Sequence, residues 1–279
     1  MKKVILPTDF SANAENAMRY ALQLFKGQPC VYYLLNTYMP TTHHEEHYPW
    51  HTDVGDSIPR KSSYGLSRLA DQLRRENEGQ DYTFVPISAL NTVVGEIKET
   101  LTKERIDFIV MGTQGMTAAT DIIFGSNTTQ VIKNAGCPVL AIPSGFKYRK
   151  PLNIVYPTDF KIAYSPQQMD PLLSLAGQFG SLIVVLHVIS PAGLTEDQRN
   201  NRNLLEGVLQ EIEHEVRSIS GEHVPSVVSE YQENEDIDFL VMVQNKHTFF
   251  ERLFTPATIK KIGLQIKVPF MVLPCLPKN

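Results

Sequence analysis

The sequence predicts an α/β protein made of two tandem domains, each a parallel sheet covered by helices. Three observations predict it. KKVILPTDF at residues 2–10 recurs as LNIVYPTDF at 152–160. The ends of the halves match as well: DFIVMG at 107–112 with DFLVMV at 238–243, and CPVLAIP at 137–143 with VPFMVLP at 268–274. Short, wholly apolar runs alternate with amphipathic stretches, the mark of βα units rather than hairpins. The first match has an offset of 150 residues and the other two share an offset of 131, so the second half is 19 residues shorter between its first and fourth strands. The expected domains are 1–146 and 151–279, joined by the short, partly basic SGFKYRK at 144–150.

In the first half, residues 4–6 form a buried strand. Pro7-Thr8-Asp9-Phe10-Ser11 turns into a helix over 12–25, whose Ala17, Ala21, Leu24 and Phe25 share a face. Gly27 and Pro29 stop it. Strand two is 31–35. Residues 36–60 read as irregular. A helix over 62–78 turns Leu66, Leu69, Ala70 and Leu73 inward. Strand three is 82–87. Asn91 is the expected cap of a helix over 91–105, with Val94, Ile97 and Leu101 facing in. Strand four is 108–111, a helix covers 126–134 and strand five is 139–142. The last three make a βαβ crossover. In the second half the expected order is strand 154–156, helix 166–179, strand 182–188, helix 197–219, strand 224–228, strand 239–243 and a last strand at 270–273. Almost nothing is expected between 228 and 239, where most of the deficit is placed, with the rest after the second strand.

The glycines between strand four and its helix suggest chemistry. A loop leaving the carboxyl end of a parallel strand faces the crevice where α/β sheets bind ligands. Gly112 and Gly115 allow close backbone approach. Gly125-Ser126 opens a helix whose free N–H groups and dipole favour an anion, and the Ser126 hydroxyl adds a donor for a phosphate oxygen. On spacing alone, plain turn glycines with Ser126 as an N-cap explain the pattern equally well.

Gly-x2-Gly-x9-Gly-Ser at Gly112, Gly115, Gly125 and Ser126, together with the opening KKVILPTDFS, resembles the ATP-binding branch of the universal stress proteins. The resemblance spans both halves. It implies a Rossmann-like fold of the adenine nucleotide alpha hydrolase type, five parallel strands in the order 3-2-1-4-5 with helices on both faces. Strands one and four then meet at the switch point, and Asp9 shares a crevice with the Gly112 loop. The resemblance implies ATP or a related adenine nucleotide, with or without Mg2+. Gly112, Gly115, Gly125 and Ser126 would hold the phosphates, and Pro7, Asp9 and the backbone near Thr37 the adenosine. The family's usual histidine at position 36 is here asparagine. The resemblance also implies that the halves pair through strands 139–142 and 270–273 as an internal pseudo-dimer, with a homodimer beyond it and a protein partner that the sequence does not name. A stress-response regulatory module follows from it; a nucleotide-free scaffold and a slow ATPase are the other readings.

At the 131 offset, Gly112 becomes Val243, Gly115 becomes Lys246, Gly125 becomes Pro256 and Ser126 becomes Ala257. The second half is expected not to bind ATP. Asp159 is expected to serve as a helix-start cap and Lys246 as a surface lysine.

The remaining features exclude rather than assign. Net charge is −4 from 26 basic and 30 acidic residues, with no bulk attraction to nucleic acid or anionic membrane. No apolar run approaches the roughly 18 residues of a membrane span. The start reads as a strand, not a signal peptide, and the expected compartment is the cytoplasm. Cys30, Cys137 and Cys275 are expected as small buried hydrophobes, with no CxxC spacing. His43, His44, His47 and His51 cluster, but Pro49 opposes a helix that would align them on a metal, so a variable loop is expected. There is no P-loop and no lysine or arginine between Gly112 and Gly125; Asp121 reads as a solvent-facing loop residue. No catalytic residues are assigned.

Overall fold

The computed structural model describes residues 1–39, 54–113, 124–189, 193–220, 224–244 and 266–275, without the side chains of 54–56, 224 and 225. In the first half the elements are β1 Lys2–Pro7, α1 Ala12–Leu24, β2 Cys30–Tyr38, α2 Val54–Glu76, β3 Tyr82–Leu90, α3 Val93–Lys103, β4 Phe108–Gly112, α4 Ser126–Asn134 and β5 Val139–Ile142. The second half has β6 Asn153–Thr158, α5 Pro166–Phe179, β7 Leu182–Ile189, α6 Glu196–Leu209, β8 His214–Ser220, α7 Val224–Asn234, β9 Phe239–Val243 and β10 Phe270–Leu273.

All ten strands form one sheet in the order β3-β2-β1-β4-β5-β10-β9-β6-β7-β8. Within each half every pairing is parallel. The halves meet in the one antiparallel pair among the described strands, Phe270 opposite Ala141, Met271 opposite Leu140 and Val272 opposite Val139. Joining β5 to β10 removes two edges that would otherwise template association. The sheet is apolar on both faces, as a parallel sheet covered by helices must be. One face packs Phe25, Tyr32, Leu34, Tyr156 and Met271 under α1, α2, α5 and α6. The other packs Ile5, Ile109, Leu186, Leu240 and Phe270 under α3, α4 and α7. Burying each such side chain contributes about 1.5–3 kcal/mol.

Several expectations are corrected. Residues 36–60 are not irregular throughout: β2 runs to Tyr38, so Thr37 lies inside the strand opposite Ala89, and α2 starts at Val54. Pro59 is the sixth residue of that helix, past its first turn, and supplies no N–H to the helix ladder there. Thr92, not Asn91, caps α3, accepting from the Gly95 N–H at 3.0 Å, while Asn91 accepts from the Thr92 N–H. The expected helix over 197–219 ends at Leu209, and His214–Ser220 is the edge strand β8. The expected strand over 224–228 is helix α7, as long as α3. The 19-residue deficit therefore does not lie there but after the second strand, where only the rest of it is expected. Tyr32 and its partner Phe84 are 52 residues apart, whereas Ile183 and its partner His214 are 31 apart. The shortening falls between the second and third strands, at the connection and in the 14-residue α6 that replaces the 23-residue α2.

Cys30 and Cys137 are buried, and burial pushes the Cys137 thiol up to about 12. Cys275, beyond the end of β10, is exposed, against expectation. Among the described residues no helix is long and apolar enough to cross a membrane, and no group of three or more His, Cys, Asp or Glu could hold a metal. The histidine cluster at 43–51 lies outside the described residues.

Candidate functional site at the carboxyl ends of β1 and β4

Parallel pairing of Val4 with Phe108 and of Ile5 with Ile109 puts the ends of β1 and β4 side by side. Pro7 closes β1 opposite Leu35 of β2, and the turn beyond it is fixed by its own side chains. Thr8 Oγ1 accepts from the Phe10 N–H at 2.9 Å and Asp9 Oδ1 from the Ser11 N–H at 3.0 Å. Phe10 takes φ 61, the left-handed region that a side chain rarely adopts. Ser11 then caps α1, accepting from the Ala14 N–H. Asn36 donates from Nδ2 to the Thr8 carbonyl at 2.7 Å and so ties β2 to this turn.

Across the crevice, β4 ends at Gly112. A Cβ there would come 2.4 Å from Asn13 Nδ2, so any other residue at this position requires the Asn13 side chain of α1 to move. The Gly112 carbonyl accepts from the buried Thr128 hydroxyl at 2.9 Å, fastening α4 to the strand. Thr113 extends the β4 ladder, its N–H donating to the Ile142 carbonyl, and its own carbonyl accepts from the Gly125 N–H at 2.7 Å. That bond brings together the two ends of the glycine loop. Gly115 and Asp121 within the loop lie outside the described residues, as do Lys246, Pro256 and Ala257.

Gly125 is the N-cap of α4, and Ser126 is the first helical residue rather than the cap. Four other helix starts are described. Ser11, Thr92, Ser165 and Thr195 cap α1, α3, α5 and α6 with hydroxyls that accept a backbone N–H. At α4 the cap is a glycine, which has no side chain to do so, and no acidic residue stands in the first turn of the helix. Gly125 has φ −59, open to any residue. Neither backbone conformation nor capping therefore accounts for Gly-Ser at this helix start. A helix N-terminus capped by glycine presents backbone N–H groups at the positive end of the dipole, the chemistry of an anion site.

The structure thus gathers Pro7, Asp9, Gly112, Gly125 and Ser126 at one end of the sheet, with Thr37 one strand further out. Asn13, Thr113 and Thr128 hold this end together and have no counterpart in the sequence expectations. Asn13 is visible only once α1 and β4 are packed.

The equivalent turn in the second half repeats the backbone. Phe160 has φ 54, its N–H donates to Thr158 Oγ1 at 2.9 Å, and Asp159 Oδ1 accepts from the Lys161 N–H at 3.2 Å. Asp159 is therefore a turn residue, not a helix cap; Ser165 caps α5. His187 takes the place of Asn36, with Nδ1 3.2 Å from the Thr158 carbonyl. Its ring lies 4.8 Å from that of Phe160, which is only 1% exposed. From α6, Gln198 donates to the Asp159 carbonyl at 2.7 Å and Asn201 to the Phe160 carbonyl at 2.9 Å.

Comparison with known proteins agrees with this architecture. A universal stress protein of Methanocaldococcus jannaschii is 30% identical over 156 residues, half of this chain and 81% of that protein. A second from the same organism is 24% identical over 153 residues, half of this chain and 94% of that protein. The crystal structure of a universal stress protein from Archaeoglobus fulgidus superposes on 98% of this chain and 96% of its own with a TM-score of 0.68, at 18% identity, which extends the likeness in fold to the second half. The sequence model of the universal stress protein family matches residues 1–143, more than half of the chain, and the chain belongs to the universal stress protein family.

Proposed function

We propose that this is a stress-response regulatory protein whose first domain, 1–146, binds ATP or a related adenine nucleotide, while the second, 151–279, is its non-binding pseudo-dimer partner. The observation that carries the reading is the start of α4: a Gly-Ser helix N-terminus without a side-chain cap, at the switch point beside β1. Phosphates would be held by Gly112, Gly115, Gly125 and Ser126. Adenosine would lie toward Pro7, Asp9 and the backbone at Thr37. Bound Mg2+ would supply charge neutralisation of the phosphates. Asp9 Oδ1 accepts from the Ser11 N–H, which fixes the carboxylate at this turn. The second crevice is covered by α6 and by the Phe160–His187 stack. The site has the character of a switch in the cytoplasm rather than of a catalyst: nucleotide would bias which surface a protein partner meets.

A thermal-shift titration tests this. A ligand that binds only the folded state at 100 times its Kd adds about 2.7 kcal/mol of stability. ATP with Mg2+ is expected to raise the melting temperature of the wild type and to leave Gly115→Lys, which copies the second half, unmoved. Equal response of both proteins, or of neither, rejects the nucleotide site and leaves a scaffold.

A further inference from the structure

The two outer strands of the ten-stranded sheet, β3 and β8, are equivalent in the repeat and differ in their edges. The Cys30 N–H donates to the Asp81 carbonyl on one side, and the Ile183 N–H to the Glu213 carbonyl on the other. In a parallel ladder those bonds decide which backbone groups face inward. They turn Thr83, Val85 and Ile87 toward β2, and Glu215, Arg217 and Ile219 toward β7. The outward N–H and C=O groups are then those of Phe84, Pro86 and Ser88 on β3, and of His214, Val216 and Ser218 on β8.

The edge of β3 is closed to pairing. Pro86 has no N–H to offer at its middle, and the Phe84 carbonyl already accepts from Arg74 of α2 at 3.1 Å. Across the ladders, Leu6 leads through Leu34 to Pro86, and Tyr156, its counterpart at the 150 offset, leads through Val185 to Val216. Val216 thus stands where β3 has proline, and it keeps its N–H. Among the described residues nothing takes the outward backbone groups of His214, Val216 and Ser218. No residue of β8 is fully buried, and Ser218 and Ser220 are exposed. Glu215 and Arg217 share one face with side chains 39% and 41% exposed and 2.6 Å apart. Arg217 is held there by the Tyr231 hydroxyl at 2.8 Å and by Glu235 at 3.5 Å.

We infer that β8 docks a second copy of this chain, edge to edge and antiparallel, in a closed dimer. The strand is complementary to itself. With Val216 opposite Val216 of the other copy, His214 meets Ser218 in hydrogen-bonded pairs, and each Glu215 stands opposite an Arg217 in the closer, non-hydrogen-bonded pairs. Sliding one strand by two residues either way sets Glu215 against Glu215 or Arg217 against Arg217, and like charges directly opposite destabilise a sheet. Charge therefore selects the register. The chain joins its own halves by the same kind of antiparallel contact at β5 and β10. Because Pro86 closes β3, association ends at two copies instead of extending into a filament. The edge at β8 lies apart from the crevice of β1 and β4, so this inference does not rest on the proposed function.

The test is sedimentation velocity of the full chain over a series of concentrations, beside Glu215→Arg, Arg217→Glu and an equimolar mixture of the two. The wild type is expected to pass from monomer to dimer as concentration rises. Each variant alone sets like charges opposite one another, and its dimer should weaken about tenfold. In the mixture the two arginines of one variant face the two glutamates of the other. A heterodimer of about wild-type affinity is expected there, a recovery that misfolding of either variant would not give. Val216→Pro, which copies Pro86, should stay monomeric. Three results overturn the inference: a wild type that is monomeric throughout, a dimer that both charge variants and Val216→Pro keep, or a mixture no more associated than its separate components.

Discussion

The two crevices share a backbone and differ in access. Thr8-Asp9-Phe10 and Thr158-Asp159-Phe160 make the same two side-chain bonds and the same left-handed residue, φ 61 and φ 54. Yet Phe10 is 46% exposed, against 1% for Phe160. The difference comes from the chain between the second and third strands. In the second half that connection is short, and α6 lands on the turn, where Gln198 and Asn201 satisfy its carbonyls and Phe160 packs on His187. In the first half the longer route through α2 brings Gly65 under the Phe10 ring; a Cβ there would come 2.8 Å from Phe10 Cζ. A duplicated turn thus stays open or becomes core according to where the next helix begins.

The largest way to break this comparison is to truncate the two phenylalanines. Phe160→Ala should cost about 3–5 kcal/mol in chemical denaturation, as for a fully buried aromatic. Phe10→Ala should cost less than about 1 kcal/mol, half its ring being in solvent already. Equal losses would show that the two turns are packed alike. Next is Gly112→Val, which copies Val243. Its Cβ meets Asn13, so a loss of about 1–3 kcal/mol is expected, and Asn13→Ala in the same chain should recover most of it. If the double variant is no more stable than the single one, Asn13 is not what requires the glycine. A smaller effect is expected from Gln198→Ala, about 1–2 kcal/mol, since it removes both the bond to Asp159 and half of the Thr195–Gln198 capping box. The last concerns pH, and shows only above about pH 8.5. The Cys137 thiol is held neutral up to about 12, above its unfolded value of about 8.5, so the stability this contributes is complete below pH 8.5 and is lost as pH rises from there toward 12. Cys137→Ala should flatten that part of the stability profile, corrected for the cavity it leaves.

Much of the first half was legible because its signals agree. The runs at β1, β4 and β5 are continuous and apolar, and 126–134 has glycines on both sides. The errors lie where periodicity misleads. Val216 and Ile219 stand three apart, a helical spacing, yet belong to β8, an edge strand only partly buried. In α7, Val224, Val227 and Val228 follow i, i+3, i+4, but a short β-branched run reads equally well as a strand. Pro59 hid the first turn of α2. At the proposed site, the sequence spacing gives Gly112 an incomplete reason: the close approach it permits in this structure is that of Asn13. A contact between α1 and β4 is long-range and leaves no trace in local spacing. That Gly125, not Ser126, is the cap is likewise a one-residue distinction below the reach of sequence boundaries.

The most direct measurement of the central claim is the stoichiometry of ATP binding to the whole chain, by calorimetric titration with Mg2+ into nucleotide-free protein, beside Gly112→Val and Phe160→Ala. The account predicts one site per chain, lost in Gly112→Val and kept in Phe160→Ala at a temperature where that variant is folded. Two sites per chain, or one that survives Gly112→Val and disappears in Phe160→Ala, would contradict it.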